Sequence, residues 1–298
     1  MKHDLNVIII IVSIFLLTQI FGLFLINKDI SSIKKIDDAI VIEHQETTLG
    51  PRPETTGFSS FIFLSMAVLI GTLLLLLIMK YGKVNLWKTW FFLAVFFSIS
   101  ISLGVLIEYE LALFFAFILS FLKMFKRNVL VHNFTEVLMY SGLAVLIVPI
   151  FDLQWVFIML IVISIYDMYA VWKSKHMVKM AKFQAKNNLF AGLMIPYEQN
   201  KKIHLKISKK IKRTKVHNAL LGGGDVAFPL IFAGVVMESL IKKGFTPQLA
   251  FFQTITISFL VTGAVIGLFV FAKKKKFYPA MPFISIACFI GYFVISLF

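Results

Sequence analysis

The chain predicts an all-α polytopic membrane protein, and three observations carry that expectation. Apolar residues make up 59% of the 298 positions, with 33 Phe and a mean hydropathy of +0.88; soluble chains are about half apolar. Uninterrupted apolar runs recur at about the 20-residue length that crosses a bilayer. Most of the 30 Lys and Arg fall between those runs and alternate in abundance from one gap to the next, as topology signals do. The net charge of +15 is thereby assigned to membrane orientation, and no nucleic-acid partner is expected.

Taken in order, the runs are 5–26, 58–79, 86–107, 109–125, 134–151, 154–172, 219–241, 247–271 and 278–298. They predict nine transmembrane helices. The first is longer than a secretory h-region and no small-residue cleavage site follows Asn27, so it is kept as a span. With the N-terminus cytoplasmic, the inner segments hold Lys2, Lys80, Lys83, Lys88, Lys123, Lys126, Arg127, a dense run between Lys173 and Lys215, and Lys273 to Lys276. Only Lys28, Lys34, Lys35, Arg52, Lys242 and Lys243 remain outside, which sets the C-terminus outside.

One membrane domain, 1–298, is expected, with spans one to six in 1–172, a cytoplasmic loop at 173–218 and spans seven to nine in 219–298. The polar stretch 27–57 reads as an outer loop. Within 173–218 the first part suits an interfacial amphipathic helix, and Ile203, Leu205 and Ile207 alternate with polar residues at the period of a strand. Cys288 is the single cysteine and falls inside a predicted span, so neither a disulfide framework nor a cysteine metal site is expected. No metal and no cofactor are predicted. The acceptor triplet Asn133-Phe134-Thr135 falls on the inner side and is assigned no glycan.

An acid inside the membrane is costly and marks function. Glu108, Glu110, Glu136 and Asp152 are assigned to turns and span ends, and Glu238 to a pairing with Lys242 four residues on. Asp167 and Asp225 remain. Asp167 lies about 7–8 Å from the inner end of span six, and Asp225 about 6–9 Å from the inner start of span seven, at 1.5 Å per residue. Adjacent antiparallel spans thus present two carboxylates at one depth.

Facing carboxylates share a proton and titrate as a unit. Such a pair suits hydrolysis of a peptide bond, one member taking a proton from water and the other giving one to the carbonyl oxygen. The helix dipole predicts Asp225, in an early turn, as the more often ionised member, and Asp167, near a helix C-terminus, as the acid. Gly222, Gly223 and Gly224 leave backbone uncovered beside Asp225. Pro229, four residues after it, removes a helical hydrogen bond there. Pro279, Ala280, Met281 and Pro282 open the last span at the same face.

Tyr166-Asp167, Gly222-Gly223-Gly224-Asp225 and Pro279-Ala280-Met281-Pro282 together resemble the presenilin and signal peptide peptidase group of intramembrane aspartyl proteases. That group carries Tyr-Asp in span six, Gly-x-Gly-Asp in span seven and Pro-Ala-Leu in span nine. Met281 stands in place of the leucine, a volume-conserving change. The predicted orientation is like that of presenilin, Asp-x-x-x-Pro is like signal peptide peptidase, and the compact length resembles the archaeal single-chain homologues. The resemblance implies catalytic Asp167 and Asp225, with Tyr166, Gly222, Gly224, Pro279, Ala280, Met281 and Pro282 in supporting or substrate-positioning roles. It implies transmembrane helices of other proteins as substrates, no obligatory accessory subunit, and a multi-pass protein of a prokaryotic cell membrane. It also implies that an unwound substrate pairs as a strand near the inner face, for which Ile203, Leu205 and Ile207 are candidates.

Rival chemistries fit less well. No His-Glu-x-x-His exists for a zinc protease, and all six histidines fall in predicted loops or termini. Prepilin peptidases share Gly-x-Gly-Asp but lack the other two motifs in these positions. A proton- or cation-coupled transporter or leak channel using the same carboxylates is the alternative; cation flux without peptide cleavage is its signature. A scaffold has no use for two matched buried acids.

Overall fold

The computed structural model describes residues 5–36, 39–53, 55, 57–126, 128–173, 190–198, 216–271 and 278–297. Among these, nine α-helices account for the architecture: α1 Leu5–Asp29, α2 Phe58–Tyr81, α3 Val84–Gly104, α4 Tyr109–Phe125, α5 Val129–Ile147, α6 Leu153–Met168, α7 Gly223–Lys242, α8 Pro247–Phe271 and α9 Met281–Ser296. Seven are long and apolar enough to cross a membrane, α5 and α6 being counted with the short helical turns that follow them. The 16-residue α9 reaches about 24 Å at 1.5 Å per residue, short of a hydrocarbon core of about 30 Å.

α7 sits at the centre, packed against α1, α5, α6, α8 and α9. Of its apolar stretch 78% is buried, against 11% for that of α2, which packs against α3 and α6. Close approach is achieved with small residues, as membrane helices require. A Cβ on Gly234 of α7 would meet Val148 and Ile26, and one on Gly142 of α5 would overlap the Ser98 carbonyl of α3.

Two antiparallel hairpins join the helices. β1 (Ile30–Ile36) pairs with β2 (Ala39–His44) in the segment expected to be an outer loop, and β3 (Gly192–Glu198) pairs with β4 (Val216–Gly222). β4 corrects the seventh span, expected from 219. Ala219 to Gly222 are extended because their backbone pairs with Ile195 back to Gly192; an apolar run alone cannot separate helix from strand. α5 begins earlier than the expected 134, since the Asn128 side chain accepts the Leu130 N–H at 2.9 Å and caps it;. Ile203, Leu205, Ile207 and the expected interfacial helix lie outside the described residues.

Candidate active site

Asp167 stands one residue before the end of α6, where the chain passes into a π turn over Tyr169–Lys173. Such turns are rare and gather at functional sites. Asp225 is in the first turn of α7, one turn earlier than the span length implied, because β4 occupies the residues before it. The two carboxyls lie within Coulombic range of each other. Asp167 is 4% exposed, whereas Asp225, set deep among its neighbours, keeps an accessible edge. Among the described residues neither has a cation within ion-pair distance.

The flanking motifs converge on these acids. The Met281 N–H donates to Asp167 Oδ2 at 3.2 Å, and the Ala280 N–H is directed at the same carboxyl, so the Pro-Ala-Met-Pro segment delivers backbone donors to α6. Pro279 is buried and Pro282 half-buried beside them. Gly222 lies against Asp225: its N–H faces the carboxyl, and a Cβ on it would stand 3.1 Å from Oδ2. A Cβ on Gly223 would stand 2.5 Å from the Tyr140 hydroxyl, and one on Gly224 3.3 Å from the Phe228 ring. Tyr166 is half-buried next to Asp167. Since each carboxyl has a backbone N–H aimed at it, helix ends alone do not divide the roles of base and acid between them.

Pro229 lies inside α7 and leaves the Asp225 carbonyl without its helical donor. The adjacent Val226 carbonyl accepts the Gln19 side-chain N–H of α1 at 2.9 Å. Below Asp167, the Ser164 and Ser285 hydroxyls meet at 2.8 Å and tie α6 to α9.

Other placements differ from expectation. Glu136 does not open a span: it lies inside α5, fully buried, and pairs with Lys123 of α4 at 2.5 Å. Glu238 is 3% exposed and faces His44 Nε2 at 3.4 Å, because the β1–β2 hairpin folds over that end of α7, with the expected partner Lys242 also within Coulombic range. His132 lies within α5, and His44 and His217 lie in strands. Among the described residues no three His, Cys, Asp or Glu side chains are grouped to hold a metal. The signal that marks Glu136 is its spacing: His132, Asn133, Glu136 and Tyr140 fall on one face of a helix. Gln19 carries no comparable pattern.

The strand next to the site has one edge occupied. Gly192 donates to Glu136 Oε2 at 3.1 Å, and its carbonyl meets His132 Nε2 at 2.9 Å. Met194 donates to Asn133 Oδ1 at 3.0 Å and accepts from its Nδ2 at 2.9 Å. Those groups face away from β4, so by antiparallel alternation the backbone of Leu220 and Gly222 faces the opposite, outer edge of the sheet;.

The family described as signal-peptide peptidase, presenilin aspartyl protease matches residues 12–298. Two solved structures described as a presenilin family intramembrane aspartate protease are similar in fold. The one in a P2 crystal form has a TM-score of 0.60 at 16% identity, covering 96% of both chains. The one in a C222 form has a TM-score of 0.57 at 15% identity, covering 96% of this chain and 94% of the other. No curated protein matches.

Proposed function

Because the chain belongs to the signal-peptide peptidase, presenilin aspartyl protease family, we propose that Asp167 and Asp225 are its catalytic dyad. The protein is an intramembrane aspartyl protease, and this reading gives its chemistry to named residues. The observation that carries it is that α6 and α7 pack together and bring two acids within Coulombic range, with no cation at ion-pair distance from either among the described residues. The pair holds one proton between them, so base and acid are roles of the dyad. The ionised member takes a proton from water that enters at the accessible edge of Asp225, the water oxygen adds to the scissile carbonyl carbon, and the protonated member gives its proton to the carbonyl oxygen. The donors from Met281 and Ala280 fix the Asp167 carboxyl, and Gly222 leaves space for that of Asp225.

The substrates are transmembrane segments of other membrane proteins. An unwound segment would add as a strand to the edge carrying Leu220 and Gly222, by β-augmentation, since α5 side chains take the other edge. The same reading keeps 1–298 as one membrane domain of nine spans, with the N-terminus cytoplasmic, the C-terminus outside and both acids near the cytoplasmic face. It places the protein in a prokaryotic cell membrane and has it cleave without accessory subunits.

The test is cleavage of a single-span substrate by the purified chain alone, with product masses measured. Loss of cleavage in both Asp167→Asn and Asp225→Asn is expected. Cleavage that survives either change overturns the dyad.

A further inference from the structure

We infer that α5, through Glu136 and Asn133, is the positioning element for Asp225, an inference that rests on Asp225 being a working acid. The starting point is a buried ion pair. Lys123 Nζ and Glu136 Oε1 are 2.5 Å apart, with side chains 2% and 0% exposed. Well-packed apolar residues commonly hold such a site at least as well, so stability alone does not account for the pair. What an apolar pair lacks is the second carboxylate oxygen. Glu136 Oε2 accepts the Gly192 N–H at 3.1 Å, while Lys123 also donates to Thr135 Oγ1 at 3.2 Å.

From Gly192 the path to Asp225 is short and stiff. Gly192 is the cross-strand partner of Gly222. Its φ of +149° and a Cβ position overlapping the Leu221 carbonyl admit only glycine there;. The Gly223 N–H donates to the Ala191 carbonyl at 3.2 Å, and the Gly222 N–H faces the Asp225 carboxyl. Asn133 pins the next free residue of β3 by binding both backbone groups of Met194. Tyr140, one turn beyond Glu136 on the same face, abuts Gly223. It is 4% exposed, and its hydroxyl makes no hydrogen bond of standard geometry among the described residues. α5 therefore imitates a neighbouring strand along β3 and sets the height at which the chain leaves the sheet for α7.

The test compares three variants of the full chain in detergent, each cleaving a single-span substrate. Glu136→Gln leaves Lys123 buried without its counter-charge, and a fall in rate is expected. Lys123→Met with Glu136→Gln keeps an acceptor for Gly192 without buried charge, and recovery of most of the lost rate is expected. Lys123→Met with Glu136→Leu keeps neither, and kcat is expected to fall on the order of a hundredfold, the penalty of an ångström-scale misplacement, with KM unchanged. Amide exchange at residues 192–195 should accelerate in that last variant alone. Equal kcat and equal protection in the two double variants would overturn the inference. If the leucine double variant does not fold, Asn133→Leu takes its place, and an unchanged kcat with intact protection at Met194 overturns it equally. Cleavage surviving Asp225→Asn strikes the catalytic reading instead, and exchange at Gly192 then still decides whether Glu136 holds the strand.

Discussion

The two ends of α7 treat a buried acid in opposite ways. Asp225 and Glu238 are thirteen residues apart, about 20 Å along one helix. Around Glu238 the chain collects compensation. His44 bridges toward Glu238 Oε1 at 3.4 Å and Asp29 Oδ2 at 2.9 Å, and Arg52 reaches that same oxygen of Asp29 at 2.6 Å. Around Asp225 the charged group within Coulombic range on α6 is another acid, Asp167. Paired acids fasten the β1–β2 hairpin and the segment after it to the helices. An acid set against an acid gains no ion pair for the fold, and the proposed dyad gives that arrangement a use in proton transfer.

The comparison is broken most sharply at Asp225. Asp225→Asn or Asp167→Asn removes a charge that has no counter-ion among the described residues. Cleavage should fall by at least about 10²–10⁴-fold, the range of acid–base contributions, while the melting temperature in detergent stays level or rises. A lowered melting temperature would show that the acids hold structure after all. Arg52→Met is the mirror experiment. It leaves His44 as the remaining partner of the buried Asp29 and should cost about 1.5–3 kcal/mol in denaturant unfolding, the loss of a charge-assisted hydrogen bond, with cleavage per folded molecule unchanged.

A smaller change sharpens the packing side of the contrast. Gly223→Ala drives a methyl group against the Tyr140 hydroxyl and should lower kcat about tenfold to a hundredfold. Gly263→Ala on α8, where nothing lies within 4 Å, should leave kcat as it is. The smallest effect belongs to Glu43, paired at 2.7 Å with Lys34 on the exposed face of the β1–β2 hairpin. Hydrogen bonds from Lys34 and then Ser32 hold its carboxyl below the ordinary value of 4.5. A lowered carboxylate contributes above its ordinary value and loses that contribution as pH falls through the lowered one. Between pH 7 and 5 the contribution is therefore constant, and Glu43→Gln should not change how the melting temperature varies over that interval; surface pairs contribute little in any case.

The apolar helices and the placement of Asp167 and Asp225 on two neighbouring helices were legible because long apolar runs and an isolated charge within them are strong local signals. Asp167 and Asp225 could be matched by counting residues from span ends, although β4 shifted the helix start that the count used. The position of Glu136 and the His44 partner of Glu238 were not legible, because both acids owe their burial to partners distant in sequence. Lys123 approaches Glu136 from another helix, and His44 approaches Glu238 from a hairpin. Ala219 to Gly222 read as helix because the backbone partner that makes them a strand, Gly192 to Ile195, lies inside the segment 173–218 that was expected to be a loop. Local pattern carries no information about such long-range neighbours.

Gln19 has a consequence for how the molecule comes into being. Its hydrogen bond to the Val226 carbonyl joins positions 207 residues apart, so the turn that bears Asp225 is completed by a side chain synthesised long before it. A growing chain carries that donor unused through the five helices that follow α1 and finds its acceptor only once α7 has been made. The backbone beside Asp225 is therefore completed by a late encounter, when the first helix closes on the seventh.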